Sequence, residues 1–180
     1  MADRQDIQAP AWGASREPFM IIIVMGVSGS GKTTIGIQLA EALHWVFVDA
    51  DDFHSASNIA KMRRGIALTD QDRKSWLSAL RSQIDEWLKH DHQVVLACSA
   101  LKAWYRHALL VDPSRMRMVY LKGSHELIAK RLARRKEHFM RPELLASQFD
   151  SLEEPDDALI VDIAQRPREI VRQIREQLDV

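Results

Sequence analysis

A three-layer α/β fold built on a parallel sheet is the architecture this sequence predicts, and three observations predict it. Phe19-Met-Ile-Ile-Ile-Val-Met25 is continuously apolar, as a strand buried on both faces must be. Further strand-like runs alternate with helical ones along the rest of the chain. A glycine-rich turn, Gly26 to Gly31, joins the first strand to the first helix. The 180 residues suffice for one well-filled core, since ~150 residues per domain is typical.

The elements follow in order. Thr33 to Leu43 carries apolar residues at Ile37, Ala40 and Leu43, one helical face. Trp45-Val-Phe-Val-Asp49 is a second short strand and Gln93-Val-Val-Leu-Ala-Cys98 a third. Arg117-Met-Val-Tyr-Leu121 and Ala158-Leu-Ile-Val-Asp162 complete five. Helices are expected over Leu101 to Leu110, His125 to Arg135, Glu143 to Phe149, and Arg168 to Leu178 after Pro167. Ser55 to His90 breaks the alternation as a helical insertion between strands two and three. Within it, Thr69-Asp-Gln-Asp72 reads as a cap with acidic residues in the first turn. Trp76, Leu80, Ile84, Trp87 and Leu88 mark the apolar face that follows. Arg134 to Pro142 is a basic second insertion of the kind that covers active sites. Met1 to Pro18, which mixes charges with prolines, is expected to be a flexible tail. Residues 19–180 then form one domain, with the insertion at about 52–90 and the lid at about 134–142.

Composition excludes several function classes. At 46% hydrophobic and 28% charged, the chain is too apolar for a disordered protein. Lys plus Arg (25) balances Asp plus Glu (25), which argues against a surface devoted to nucleic acid. The single cysteine, Cys98, excludes an intrachain disulfide and a Cys-rich zinc site, and it reads as a core residue. The longest apolar run, Phe19 to Gly26, falls far short of the ~20 residues of a membrane span. No secretory signal precedes it, so the cytoplasm is the expected compartment.

Gly26-Val-Ser-Gly-Ser-Gly-Lys-Thr33 satisfies G-x-x-x-x-G-K-[ST] at every fixed position. Glycines let backbone N–H groups curl around phosphate oxygens, and the helix N-terminus adds partial positive charge. Lys32 would reach the β- and γ-phosphates, and the Thr33 hydroxyl would join Mg²⁺ coordination. The strand before and the helix after supply the structural context the motif requires. Gly26, Ser28, Gly29, Ser30, Gly31, Lys32, Thr33 and Thr34 are the candidate nucleotide-binding residues, and the cofactors are ATP and Mg²⁺.

Asp49 and Asp51 end the second strand, at the sheet edge where open parallel sheets bind ligands. Two carboxylates there divide labour: Asp49 orients Mg²⁺, and Asp51 accepts a proton from a substrate hydroxyl. The bland alternative is that they cap the next helix.

From Asp51 to Leu77 the sequence closely resembles the thermoresistant-type gluconate kinases, small P-loop phosphotransferases related in fold to shikimate and adenylate kinases. It meets D-x-x-H-x-x-x-N-x-x-K-M-x-x-G-x-x-L-x-D-x-D-R-x-x-W-L throughout. Cys98 to Arg106, Tyr120 to Gly123, His138-Phe-Met140, Ser147-Gln-Phe149 and Leu152-Glu-Glu-Pro155 also match. The likeness runs from about Ile21 to Val180. Ser55, Ala67 and Ser75 stand where prolines are usual, Thr69 replaces an Asn-like residue, and Glu137 replaces a glycine in the lid. Lost prolines should loosen the insertion without removing chemistry. The resemblance implies sheet order 2-3-1-4-5, phosphorylation of D-gluconate, and a homodimer.

Gluconate is a linear polyol acid, so its site needs a fixed cation and several hydroxyl partners. His54, Asn58 and Lys61 fall at i, i+4 and i+7, one face of a helix if the segment is helical. Arg73 projects from the first turn after Thr69 and suits a bidentate carboxylate clamp, unless Asp70 or Asp72 claims it. Lys102 and Arg106 follow strand three, beside an expected helix N-terminus, and are candidates to face substrate or phosphate. Arg131 and Arg135, one turn apart, are the lid cations proposed to stabilise the phosphoryl group in transit. A kinase for another small hydroxy acid, or a decayed nucleotide-binding regulatory module, remains an alternative at this level.

Overall fold

The computed structural model describes residues 20–134 and 142–180. The expected tail, Phe19, Arg135, Glu137 and His138 lie outside the described residues, as does most of the expected lid. Five parallel strands form one sheet in the order β2-β3-β1-β4-β5. They are β1 (Ile21–Met25), β2 (Val46–Asp49), β3 (Val94–Cys98), β4 (Met116–Lys122) and β5 (Leu159–Asp162). β1 is central: Ile21 pairs with Val94 and Met116, and Met25 with Cys98 and Tyr120.

Every residue of β1 is buried, which is why the run is apolar throughout rather than alternating. Its two faces feed two cores. Ile21, Ile23 and Met25 pack with Trp76, Leu80, Ile84 and Trp87 of α3 (Asp70–Lys89) and with Leu109 of α4 (Ala103–Leu109). Ile22 and Val24 pack against Ile35 and Leu39 of α1 (Lys32–Leu43), Ile128 of α5 (His125–Ala133) and Leu145 of α6 (Pro142–Asp150). Ile174 of α7 (Pro167–Leu178) joins that second core. Helices on both faces of a parallel sheet give the three expected layers.

The insertion is a 3₁₀ turn (Ala50–Phe53), α2 (Ala56–Arg63) and α3. Thr69 caps α3 in a reciprocal capping box with Asp72. Ser55, which stands where a proline is usual, accepts a hydrogen bond from the Asn58 N–H and caps α2. Cys98 is buried, and that burial pushes its thiol up to about 12, as befits a core residue. Among the described residues no helix is long and apolar enough to cross a membrane. One expected face is corrected. Ile37 is 39% exposed, and α1 buries Ile35, Gly36 and Leu39 beside the expected Ala40. Phe47 of β2 sets that face, lying so close over Gly36 that a Cβ there would meet its ring at 2.6 Å.

Candidate active site

The carboxyl ends of β1, β2 and β3 converge on the glycine-rich turn. Gly26 has φ +144°, and a Cβ there would meet Ser30 Oγ at 2.8 Å and the Leu121 carbonyl at 3.0 Å. Gly29 (φ +84°) is almost as tightly enclosed, its virtual Cβ lying 2.9 Å from Leu132. The motif's glycines therefore answer both backbone conformation and close packing. The Gly26 N–H donates to the Ser99 carbonyl at 3.4 Å, tying the turn to the end of β3. Lys32 Nζ donates to the Val27 carbonyl at 3.1 Å, so the ammonium lies across the loop it serves.

Asp49 acts both as cap and as candidate metal residue. Its Oδ1 accepts from the Asp51 N–H at 3.1 Å, and its Oδ2 accepts from the Thr33 hydroxyl at 3.2 Å. Trp76 Nε1 donates to the Ala50 carbonyl at 2.7 Å, pinning the same turn from below. Asp51 is thereby fixed by its backbone while its side chain stays 76% accessible in the open cleft. Protein surrounding that cleft, and then Asp49, raise the Asp51 pKa; Lys32 pulls against them.

A cavity of about 150 Å³ opens beside Asp51, lined by Ser28, Lys32, His54, Arg73 and Tyr105 among others. The His54 side chain is only 5% exposed, and it stacks on Trp76 at 4.7 Å and 11°. Burial, and then the charge of Arg73, lower its pKa to about 4. It is therefore neutral near pH 7, and its 3.9 Å approach to Asp51 is no ion pair. Its Nδ1 is buried without a partner among the described residues. Arg73 is claimed by neither Asp70 nor Asp72; it donates to the Leu68 carbonyl at 2.5 Å and lies 5.7 Å from the Tyr105 ring centre. On the other side of the loop a groove of about 260 Å³ is lined by Gly29, Ser30, Gly31, Thr34, Arg131 and Gln165, with others. Arg131 donates to the Ile163 carbonyl at 2.5 Å and reaches the Ser30 carbonyl at 3.5 Å. The loop thus separates a groove of about 260 Å³ from a cavity of about 150 Å³. A larger hollow of about 510 Å³ lies along α7 and shares no residue with the loop.

Comparison with known proteins decides which phosphotransferases these pockets belong with. The shikimate kinase family model matches residues 28–179. A gluconokinase from Arabidopsis thaliana is 43% identical over 88% of this chain and 92% of its own. The chain belongs to the gluconokinase family. Two crystal structures agree. A sugar kinase from Janibacter sp. superposes with a TM-score of 0.84 at 41% identity, over 91% of this chain and 96% of that one. A gluconokinase from Sinorhizobium meliloti gives 0.81 at 41% identity, over 91% and 94%.

Within this family fold, several expected site residues lie elsewhere. His54, Asn58 and Lys61 do not share a helical face, because Ser55 caps α2 and His54 precedes the helix in extended backbone. Asn58 Nδ2 donates to the Asp72 carbonyl at 2.8 Å, and Lys61 Nζ to Asp72 Oδ1 at 2.6 Å. Those bonds dock α2 on α3, and the Lys61 bond, followed by those from Thr69, holds Asp72 down at about 2. Lys102 faces Asp70 at 2.8 Å rather than the cavity. The α4 N-terminus is also taken, since the Ala103 N–H donates to Glu153 Oε2 at 2.6 Å.

Arg106 is not a surface cation, and it does not line the cavity. It is 5% exposed and donates to the carbonyls of Ala100 (3.3 Å), Leu101 (3.0 Å) and Glu153 (2.8 Å). Ala100 holds φ +44°, unusual for a residue with a Cβ, and this strained turn sets the Ser99 and Leu101 wall of the cavity. Arg106→Met should therefore cost about 3 kcal/mol of stability, by orphaning buried carbonyls and relaxing the turn. Urea unfolding checks this; an unchanged midpoint would remove Arg106 from the framework.

Sequence reasoning assigned no role to Tyr105 or Gln148, although both stand in quoted motifs. Tyr105 lines the cavity and donates to Asp70 at 2.5 Å; burial and then that carboxylate push its hydroxyl up to about 12. Gln148 Oε1 accepts from the Ser28 N–H at 2.6 Å. Neither partner is near in sequence.

Proposed function

We propose that this protein transfers the terminal phosphoryl group of ATP to the 6-hydroxyl of D-gluconate, giving 6-phospho-D-gluconate and ADP. The observation that carries the reading is one cavity holding a carboxylate at the phosphate loop and a guanidinium on the α3 side. Asp51 stands beside Lys32, while Arg73 and Tyr105 close the other side. The neutral imidazole of His54 lies between these chemistries as a hydroxyl partner. An acidic polyol needs that set: a cation for its carboxylate, neutral polar groups for its hydroxyls, and a base for the reacting one.

In this reading Asp51 orients the acceptor hydroxyl and takes its proton as the oxygen attacks the γ-phosphorus. Lys32 and the loop N–H groups neutralise charge on the phosphoryl oxygens, and Arg131, with Arg135, adds to them. Arg73 holds the carboxylate. Thr33 and Asp49 are the residues that would hold Mg²⁺, and their hard oxygens suit an ion that keeps several waters and phosphate oxygens. Bound there, Mg²⁺ would supply charge neutralisation to the triphosphate.

The test is coupled ADP release with Mg-ATP against gluconate, other aldonates, shikimate and nucleoside monophosphates. A gluconate-dependent rate well above the acceptor-free background is expected. Transfer to another panel member would replace the acceptor and keep the chemistry. ATP binding without any acceptor-dependent rate would overturn the reading.

A further inference from the structure

The contact between Gln148 and Ser28 lies where the two pockets meet. Ser28 lines the acceptor cavity together with Lys32, whereas Gly29, Ser30 and Gly31 line the nucleotide groove. Its N–H is thus the loop donor at the point where a phosphoryl group passes from nucleotide to acceptor. In this structure that donor is taken by Gln148 Oε1 at 2.6 Å, from a residue 120 positions away. Gln148 stands on α6, and the chain just beyond α6 is firmly held. The Glu153 N–H donates to the Leu101 carbonyl at 2.9 Å, its carbonyl accepts from Arg106 at 2.8 Å, and its carboxylate accepts from the Ala103 N–H at 2.6 Å. The wall carrying Ser147, Gln148 and Ser151 into the cavity is therefore anchored near Glu153 and tied to the loop by the neutral hydrogen bond from Ser28 to Gln148.

We infer that Gln148 is a specificity-determining residue, a latch whose carboxamide oxygen competes with the terminal phosphoryl group for the Ser28 N–H. An empty loop, or one holding a diphosphate, leaves that donor to Gln148. A triphosphate takes it, because an anionic oxygen is the stronger acceptor. Once the phosphoryl group has moved to the acceptor, Gln148 reclaims the donor and favours departure of the phosphorylated product. A neutral amide suits this role: it accepts well enough to close an empty loop and weakly enough to yield. The inference rests on the phosphotransfer reading of the loop and is independent of which acceptor is used.

The experiment compares wild type, Gln148→Ala and Gln148→Glu by titrating a non-hydrolysable ATP analogue and ADP with no acceptor present. Gln148→Ala removes the competitor, so the analogue should bind roughly 3- to 10-fold tighter while ADP binding is unchanged. Gln148→Glu supplies a charged competitor that also repels the phosphoryl group. It should weaken the analogue at least ~10-fold, with a smaller loss for ADP. A purely structural role would move both nucleotides together and in one direction. Equal shifts for analogue and ADP, or shifts of one sign in both variants, overturn the inference. If Gln148→Ala melts below the titration temperature, Gln148→Leu fills the same volume and carries the test. Gluconate is absent throughout, so failure here leaves the gluconate reading standing, and failure of the gluconate assay leaves this result standing.

Discussion

Asp51→Asn should lower kcat for gluconate phosphorylation by about 10²- to 10⁴-fold, the range lost when a positioned general base is removed. ATP affinity should change little. Asparagine keeps the shape of the side chain but cannot accept the proton. The turn itself should survive, because Asp49 holds it through the Asp51 N–H and Trp76 through the Ala50 carbonyl. The pH profile supplies a second readout. The base works deprotonated, and its pKa is raised by the enclosing cleft and then by Asp49. The acid limb of kcat/KM should therefore have its midpoint above the ordinary 3.8 of Asp, and residual activity of the variant should lack that limb. Stability separates this from damage to the fold. A carboxyl with a raised folded-state pKa contributes stability below its unfolded pKa and loses it as pH rises through the folded one. At neutral pH the variant should thus melt no lower than wild type. A kcat close to wild type would end the assignment.

What the sequence made legible was what local spacing encodes. The phosphate loop is read from a few fixed positions, and its fixed glycines answer a backbone requirement, as the positive φ of Gly26 and Gly31 shows. The α3 cap was equally local, Thr69 and Asp72 being three positions apart. Residues whose partners are remote in sequence were misjudged. Lys102 meets Asp70 across 32 positions, and Arg106 meets Glu153 across 47. Residue type announced a cation in both cases, while only the fold reveals what each one bonds: a carboxylate for Lys102, backbone carbonyls for Arg106. The polar stripe of His54, Asn58 and Lys61 failed for a different reason. A single cap, Ser55, starts the helix at Ala56, two residues after His54. That same boundary leaves His54 against Trp76 and inside the cavity.

Arg73→Met should raise the KM for gluconate roughly 10- to 150-fold, the factor corresponding to the ~1.5–3 kcal/mol of a hydrogen bond to a charged group. The KM for ATP should hardly move. Arg73→Lys should recover part of the loss, since an ammonium restores the charge without the planar fork. KM alone would not separate recognition from packing, because Arg73 also donates to the Leu68 carbonyl and lies against Tyr105. A neutral polyol of gluconate's length makes the separation. If Arg73 reads the carboxylate, wild type favours gluconate strongly over the polyol, and Arg73→Met loses most of that preference. If Arg73 only braces the α3 turn, the variant handles both acceptors worse by the same factor. Preserved discrimination in Arg73→Met would therefore exclude the guanidinium as the carboxylate clamp. It would also leave Lys32, on the phosphate loop itself, as the only cation lining the cavity among the described residues.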